Sequence, residues 1–256
     1  MTPTPSDELF QDYERHYRDA GAGRWEVPIA DIKKYHLERL PRWLDRIPKT
    51  ARILDAGCAN GYLLSLLHHE GYRNLTGVDL SEKLASAARV RLQESASIVV
   101  SDIQTFLDSL PTESLDVILF HHVLEHIPRE QTLTLLRSFH RCLSQGGYLN
   151  LKTPNASYIL AGNHLFCDFT HVTHFNERSM PQVLEAAGFN ASHVEFILHP
   201  PILFWSWRHP MRAVMRLLNR VRWELHRTSH RLLCQLIEQH PVPYVFEAEL
   251  DTLARR

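Results

Sequence analysis

Short apolar runs alternate with helix-like stretches from Ala51 to Leu151, and this alternation constrains the fold more than any other feature of the 256-residue chain. The runs predicted as strands are Arg52–Asp55, Leu75–Asp79, Ile98–Val100, Leu115–Phe120 and Tyr148–Leu151. The intervening stretches with helical periodicity include Tyr62–His69, Glu82–Gln93 and Gln131–Leu143. Strands that alternate with helices form a parallel sheet with right-handed crossovers. Such sheets bind ligands beyond the carboxyl ends of their strands.

Helical patterns flank this core on both sides. Residues 1–50 contain two amphipathic stretches, which predict an N-terminal helical lid. Residues 51–200 form the predicted α/β core, which ends with a helix at Met180–Ala187 and a sixth strand at Ser192–Leu198. In residues 201–256 we expect an Arg-rich helical insert and a last strand. We therefore expect an α/β fold with a doubly wound, mostly parallel, seven-stranded sheet, in which the helical insert precedes the last strand.

The composition is that of an ordinary soluble protein, with 44% hydrophobic residues and a formal net charge of -1. This charge balance argues against a nucleic-acid partner. The start of the chain, MTPTPSDELF, lacks a signal-peptide pattern, and no apolar run reaches the length of a membrane span. The four cysteines have no CxxC spacing, which argues against structural zinc and disulfides and favours a cytoplasmic protein.

The first predicted strand runs into a glycine turn in the sequence ILDAGCANGYLL. A dinucleotide fingerprint requires G-x-G-x-x-G, but Ala59 stands where the middle glycine belongs, between Gly57 and Gly61. No Gly-Lys-Ser/Thr follows, so a Walker phosphate loop is absent from the sequence. Asp55 precedes the turn, and its carboxylate suits a cationic ligand better than a pyrophosphate. S-adenosylmethionine carries an ammonium and a sulfonium and no phosphate, so the turn favours this cofactor over NAD.

Two further acids follow the second and third predicted strands. Asp79 can accept hydrogen bonds from both hydroxyls of a ribose, although an NAD-binding protein would use the same acid. Asp102 can bind the exocyclic amine of adenine, and Ile103 beside it offers a backbone group and an apolar face. Each acid alone is equally typical of a strand-end cap. The three acids in succession predict sites for an ammonium, a ribose and an adenine.

These residues resemble the class I S-adenosylmethionine-dependent methyltransferases. The motifs that carry the resemblance are LDAGCANG (Leu54–Gly61), GVDLS (Gly77–Ser81), SDI (Ser101–Ile103), DVILFHHVLEHI (Asp116–Ile127) and GGYLNLKTPN (Gly146–Asn155). Their order matches the family, and the resemblance covers about residues 50–190. In the family, the residues after the fourth strand contact the methionine part of the cofactor. The resemblance thus implies that S-adenosylmethionine is bound by Asp55, Gly57, Cys58, Gly61, Asp79, Leu80, Asp102, Ile103, Phe120 and His121.

Histidines cluster after the fifth strand in the sequence NHLFCDFTHVTHF, on the cofactor side of the sheet. A hydroxyl acceptor must lose its proton when it receives the methyl group. We predict His171 as the general base, oriented by Asp168 or His174. Alternatively, His171 or His174 caps a helix near Asn176 or pins the loop.

The TPN sequence and the following D-x-T-H-x-x-x-F pattern resemble methyltransferases of bacterial polysaccharide and lipopolysaccharide assembly. They are also similar to the branch that O-methylates quinone precursors. The resemblance therefore leaves two classes of acceptor open.

A metal site is another possible use of the same histidines. Some relatives hold a divalent ion with Glu-x-x-Glu-His after the fourth strand and a later His or Glu. In this chain, His122, Glu125 and His126 follow the fourth strand, and His171 lies in the later loop. A histidine therefore replaces the first acid of the motif. Imidazole favours zinc, manganese or iron over magnesium. Because the match is partial, we predict no metal and a structural role for Glu125 and His126.

Arginines recur at i+4 steps in the insert, which predicts a basic stripe on a helix. The stripe comprises Arg208, Arg212, Arg216 and Arg220, and the apolar residues nearby are Leu217, Leu218, Val221 and Leu225. The pattern is typical of a solvated helix face, a site for anionic sugars or phosphates, or a peripheral contact with a membrane. A lipid-linked glycan acceptor would combine the last two uses.

The sequence thus predicts an S-adenosylmethionine-dependent methyltransferase that O-methylates a sugar hydroxyl of a glycan or glycan precursor. O-methylation of a quinone precursor or secondary metabolite is the alternative among enzymes. A non-catalytic S-adenosylmethionine-binding subunit, docked to its partner through the insert, is the alternative of another class. An NAD-dependent oxidoreductase is disfavoured by Ala59.

Overall fold

The computed structural model describes residues 42–158, 161–198, 214, 217–218, 220–229, 232 and 249–256. The predicted N-terminal lid, up to residue 41, lies outside the described residues, as do Arg208, Arg212 and Arg216 of the basic stripe. Within the described part, no helix combines the length and the apolar character that a membrane span requires.

The described residues form strands and helices in regular alternation. The strands are β1 (Arg52–Ala56), β2 (Asn74–Asp79), β3 (Ser97–Val100), β4 (Leu115–His121), β5 (Leu143–Pro154), β6 (Val194–Phe196) and β7 (Glu249–Arg255). The α-helices are α1 (Tyr62–His69), α2 (Glu82–Leu92), α3 (Ile103–Ser109), α4 (Arg129–Cys142), α5 (Ala161–Leu165) and α6 (Ser179–Ala186). Short 3-10 helices lie at Arg42–Arg46, Leu124–His126 and Ala191–His193, and residues 220–229 are helical.

The strands form one seven-stranded sheet in the order β3-β2-β1-β4-β5-β7-β6. Neighbours among β1 to β5 pair in parallel, whereas β7 is antiparallel to both β5 and β6. The doubly wound, mostly parallel sheet predicted from the sequence is therefore confirmed. The strand order reverses between β1 and β4, and the crevice outside the carboxyl ends of these two strands is where such sheets bind ligands.

Both faces of the sheet are buried, which explains why its central strands are almost continuously apolar. Successive side chains of β4 alternate between two hydrophobic clusters. Ile118 and Phe120 belong to one cluster, which includes residues of α4, and Val117 and Leu119 belong to the other, which includes residues of α1. This alternation follows from the two-residue period of a strand. It also decides which side chains at the strand ends share a face.

Some boundaries differ from the sequence-based expectation. The sixth strand begins at Val194, because Ala191–His193 forms a 3-10 turn capped by Asn190, whose Oδ1 accepts from Ser192 N at 2.9 Å. The helix α3 was not predicted. Strand β7 lies between β5 and β6, so the end of the chain belongs to the core sheet. Residues 161–178, the later part of the connection from β5 to α6, are called the β5–α6 segment below.

Candidate active site

The glycine loop, residues 57–61, carries the chain from β1 to α1. Gly57 N and Cys58 N both donate to Val78 O, at 2.8 and 3.0 Å. Gly57 and Gly61 have left-handed φ angles of 81° and 72°. A Cβ on Gly57 would lie 2.4 Å from Val123 Cγ2, in the segment that follows β4. Glycine is therefore required at Gly57 by both the backbone conformation and the close approach.

Asp79 connects the glycine loop to the end of β2. Its Oδ2 accepts from Ala59 N at 2.8 Å, and its Oδ1 accepts from Ser81 N at 2.9 Å. Ala59 itself has a left-handed φ of 46°, a conformation in which a glycine would be less strained. A carboxylate offers about four acceptor positions. The same side chain can thus hold the loop and accept from the hydroxyls of a ribose.

Asp55 is a buried carboxylate, with only 3% of its surface exposed. Burial raises its pKa to about 7, and the nearby charge of Asp79 acts in the same direction. Burial likewise raises the pKa of the Cys58 thiol, to which both carboxylates contribute. A cationic ligand favours the ionised form of a carboxylate. Asp55 therefore matches the positively charged part of S-adenosylmethionine.

Asp102 caps the helix α3. Its Oδ1 accepts from Thr105 N at 3.0 Å and from Thr105 Oγ1 at 3.2 Å. Asp102 is therefore a cap, as the alternative in the sequence analysis stated, and the cap fixes its carboxylate at the end of β3. Ile103 is partly buried behind it, whereas Leu80 exposes 68% of its surface beside Asp79. An exposed apolar side chain next to an acid suits a nucleoside.

Phe120 and His121, both predicted to contact the methionine part of the cofactor, point to opposite faces of the sheet. The Phe120 side chain is fully buried and packs edge to face on Phe139, with ring centroids 5.0 Å apart. Only the backbone of Phe120 can therefore reach the crevice. His121 Nε2 lies 2.7 Å from Asn150 Oδ1. Burial lowers the pKa of His121 to about 3, with a contribution from Lys152, so the ring is neutral at physiological pH.

The β5–α6 segment docks on the 3-10 turn that follows β4. Val172 N and Thr173 N both donate to Glu125 O, at 2.9 and 3.1 Å. This docking brings the ring of His171 against the ring of His126, with centroids 4.8 Å apart. Two histidines that are distant in the sequence thus meet at the cofactor side of the sheet.

The orientation of His171 differs from the prediction. Its Nδ1 lies 3.2 Å from Leu165 O, and because a carbonyl only accepts, Nδ1 carries a proton and Nε2 is the nitrogen left for another partner. Asp168 Oδ1 instead accepts from Thr170 N and Thr170 Oγ1, at 2.9 and 2.6 Å. His174 has a buried Nδ1 without a hydrogen-bond partner among the described residues. Leu165, which the sequence did not indicate, therefore takes the orienting role expected of Asp168 or His174.

His126 is fixed in a similar way. Its Nδ1 lies 2.8 Å from Thr170 Oγ1, whose own proton goes to Asp168. Nδ1 of His126 is therefore the donor, and Nε2 holds a lone pair. Burial lowers the pKa of His126, which favours the neutral ring. Asp168 thus positions His126 through Thr170.

Three side chains of this region could hold a metal ion. Ligand atoms of Glu125, His126 and His171 all lie within 4.8 Å of one another. Glu125 is 2% exposed, and its Oε2 is buried without a hydrogen-bond partner in the described part of the chain. Carbonyl or hydroxyl partners on the second nitrogen of each histidine are typical of metal ligands. The residues therefore fit a divalent ion, although the sequence pattern led us to predict none.

His122, the fourth candidate ligand, lies between two carboxylates and is not part of the group of three possible ligands. Its φ of 55° is left-handed, and its Nδ1 and Nε2 lie 3.6 Å from Glu125 Oε1 and 3.5 Å from Glu249 Oε1. Partial burial opposes its protonation, but the two carboxylates outweigh this effect and raise its pKa. His122 is thus an ion-pair partner that connects the end of β4 to the start of β7.

The strand order, the glycine loop and the acids at the ends of β1, β2 and β3 together define a Rossmann-like methyltransferase fold. Residues 29–194 match the family model described as "Methyltransferase domain". The chain belongs to this family and contains a class I S-adenosylmethionine-dependent methyltransferase domain. Its cofactor is S-adenosylmethionine.

Curated relatives include ubiquinone biosynthesis O-methyltransferases. The protein from Thiobacillus denitrificans (strain ATCC 25259 / T1) is 32% identical over 151 residues, which cover 55% of this chain and 63% of that protein. The protein from Xanthomonas axonopodis pv. citri is 27% identical over 219 residues, which cover 76% of this chain and 85% of that protein. A crystal structure of a methyltransferase from Archaeoglobus fulgidus has a TM-score of 0.63 at 21% identity and covers 94% of this chain and 100% of that chain.

The names of these relatives match the quinone-precursor alternative better than glycan methylation, which was our first interpretation. The polysaccharide resemblance rested on a short loop pattern, whereas the relatives align over more than half of the chain.

Proposed function

We propose that this methyltransferase O-methylates a phenolic hydroxyl of a small quinone precursor. The names of its relatives support an O-methylated quinone precursor as the acceptor class. The observation that carries the proposal within the structure is His171, whose ring is held on the cofactor side by the docked β5–α6 segment with Nδ1 at Leu165 O, which leaves Nε2 for the acceptor. Phe166 and Phe169 of the same segment are 76% and 87% exposed, which suits an apolar acceptor better than a sugar.

Each residue of the crevice has a separate role in the reaction. S-adenosylmethionine, when bound, supplies the electrophilic methyl group. Asp55 attracts its cationic part, Asp79 accepts from the ribose, and Asp102 accepts from the adenine. His171 Nε2 takes the proton of the acceptor hydroxyl as that hydroxyl becomes the nucleophile. Most of the acceleration comes from holding the acceptor oxygen in line with the methyl group.

A metal-assisted variant of the same reaction is the second candidate. The unpartnered Oε2 of buried Glu125 favours it, because a buried carboxylate oxygen without a partner is costly. A divalent ion held by Glu125, His126 and His171 would lower the pKa of a bound phenol, and no separate base would be required.

We further propose that the insert contacts a membrane surface. The exposed apolar residues Val214, Leu217, Leu218, Val221, Leu225 and Leu232 recur at helical spacing, so they form a single stripe. Residues 214–232 contain five arginines and one glutamate, a charge that suits an anionic lipid surface. The Leu225→Asp variant should lose co-sedimentation with phosphatidylglycerol vesicles, whereas Thr228→Asp, which introduces the same charge at an exposed position, should retain more of it.

The acceptor proposal is tested by mass spectrometry of reactions that contain S-adenosylmethionine and one acceptor class at a time. Catechols and alkylated hydroquinones should gain one methyl group, and sugar nucleotides and lipid-linked sugars should not. Methylation of a sugar alone would restore the glycan interpretation. Turnover of neither class, with intact cofactor binding, would favour a non-catalytic subunit.

A further inference from the structure

A polar group lies on one face of the sheet beside the point where the strand order reverses. One cross-strand row comprises Asp55, Leu119 and Asn150, and the next row toward the carboxyl ends comprises His121, Lys152 and Asp251. Residues that pair across neighbouring strands, and residues two apart on one strand, point to the same face. His121 and Asp55 are therefore diagonal neighbours at the edge of the cofactor crevice.

The orientation of the Asn150 side chain is determined by two acceptors. Asn150 is fully buried, and its Nδ2 donates to Asp251 Oδ1 at 2.6 Å and to Thr252 O at 3.0 Å. A carboxylate and a backbone carbonyl can only accept, so neither contact allows the amide to be reversed. Lys152 Nζ, 3.3 Å from Asp251 Oδ2, stabilises the charge of the buried Asp251 carboxylate.

The amide orientation in turn determines where the proton of His121 lies. Asn150 Oδ1 faces His121 Nε2 at 2.7 Å, and an amide oxygen only accepts. Nε2 must therefore be the protonated nitrogen, and Nδ1 holds a lone pair. Nδ1 of His121 has no hydrogen-bond partner within the described residues. It is not one of their fully buried polar atoms, so a ligand can reach it.

A ring nitrogen that can only accept a hydrogen bond requires a donor as its partner. The ring cannot donate to the crevice, so it does not match the carboxylate of the methionine part of the cofactor. It matches the ammonium, which only donates. Asp55, one strand away on the same face, attracts the same positive charge.

We propose that Asn150 and Asp251 are positioning residues that fix the tautomer of His121, so that His121 Nδ1 accepts a hydrogen bond from the ammonium of S-adenosylmethionine. The assignment concerns cofactor binding and is independent of the identity of the acceptor. Its tests contain no acceptor, so failure of the proposed function leaves them unaffected.

The tautomer is measured by nitrogen-15 NMR of the histidine ring in the wild-type protein. We expect the pattern of an Nε2-protonated, neutral ring for His121. Addition of S-adenosylhomocysteine, which keeps the ammonium, should shift the Nδ1 resonance, and its desamino analogue should leave that resonance in place. An Nδ1-protonated ring, or the same shift with both ligands, would overturn the proposal without any variant.

Calorimetry with the same two ligands gives a second test. His121→Leu should weaken S-adenosylhomocysteine binding roughly 10- to 100-fold, the value of a hydrogen bond to a charged group, and should hardly change binding of the desamino analogue. Equal losses for the two ligands would show that His121 only supports the fold. No loss for S-adenosylhomocysteine would show that it does not touch the ammonium.

Asn150→Leu tests the positioning role. Leucine offers His121 Nε2 no acceptor, so the ring can carry its proton on either nitrogen. The Nε2-protonated pattern should therefore be lost, and selectivity for S-adenosylhomocysteine over its desamino analogue should fall. Asn190→Leu is the matched control, because Asn190 lies on an exposed turn. An unchanged tautomer and unchanged selectivity in Asn150→Leu would contradict the positioning role.

Discussion

The cofactor half and the acceptor half of the crevice hold their polar groups in different ways. On the cofactor half, Asp79 receives two backbone N–H groups, one from Ala59 and one from Ser81. On the acceptor half, His171 is held by one hydrogen bond to Leu165 O and by the ring of His126. On the cofactor half one carboxylate thus joins two backbone segments, whereas on the acceptor half the side chain of His171 has a single hydrogen bond and one ring contact. Substitutions should therefore separate cofactor affinity from turnover.

The largest separation is expected from His171→Ala. Loss of a positioned base should lower the methylation rate by about 10²–10⁴-fold, with S-adenosylhomocysteine affinity almost unchanged. Single-turnover rates and calorimetry measure the two effects. His164→Ala is the matched control, because His164 is an exposed histidine of the same segment. Wild-type turnover by His171→Ala would show that His171 only supports the loop and would contradict its catalytic role.

Chelation and the Glu125→Gln variant distinguish a metal-assisted mechanism from general-base catalysis by His171. If His171 acts as a base, dialysis against a chelator should leave the rate unchanged, and Glu125→Gln should be milder than His171→Ala. Loss of activity on chelation, restored by a single divalent ion, would instead make Glu125, His126 and His171 ligands. Glu125→Gln should then be as damaging as His171→Ala.

On the cofactor half, Asp79→Asn should weaken S-adenosylhomocysteine binding by roughly 10- to 100-fold, because charge-assisted hydrogen bonds to the ribose are lost. Asp102→Asn is the matched comparison. Asparagine caps a helix as well as aspartate does, so the stability of α3 should be preserved and affinity should fall less. Calorimetry gives the affinities, and circular dichroism verifies folding. Equal affinity for Asp79→Asn and wild type would contradict the ribose assignment.

Cofactor affinity should also depend on pH through Asp55. Its pKa of about 7 lies above the ordinary value of 3.8, so a proton competes with the cationic ligand below pH 7. Affinity should fall by about tenfold per pH unit below 7, and Asp55→Asn should lose this dependence. A folded-state pKa above the unfolded value means that stability falls as pH rises from 4 to 7. Asp55→Asn should therefore have a higher Tm than wild type at pH 8.

The smallest effect is expected from Ala59→Gly, which leaves the N–H donor to Asp79 in place. Relief of the left-handed φ should raise the free energy of unfolding by roughly 0.5–1 kcal/mol, with affinity unchanged. Gln93→Gly, at a φ of 50° on the exposed end of α2, should show a similar gain. A lower Tm for Ala59→Gly, measured by thermal denaturation, would show that Ala59 is not strained.

Local sequence patterns were enough to predict the sheet, the glycine loop and the acids at the strand ends. These features are local: two-residue and 3.6-residue periods specify strands and helices, and the acids directly follow the strands that position them. The short last strand was also visible in the sequence, but its place between β5 and β6 was not. Ser81, directly after β2, caps α2, and its Oγ accepts from Leu84 N at 3.2 Å.

The side chains that orient the histidines could not be predicted from the sequence, because they come from distant parts of the chain. Thr170 and His126 are 44 residues apart in the sequence, and Asn150 and Asp251 are 101 residues apart. Their contacts depend on how the β5–α6 segment docks and on the register of β7 against β5. A one-residue slip of that register would turn Asp251 to the other face of the sheet. No local pattern encodes such a register, because it is set by packing across the whole core.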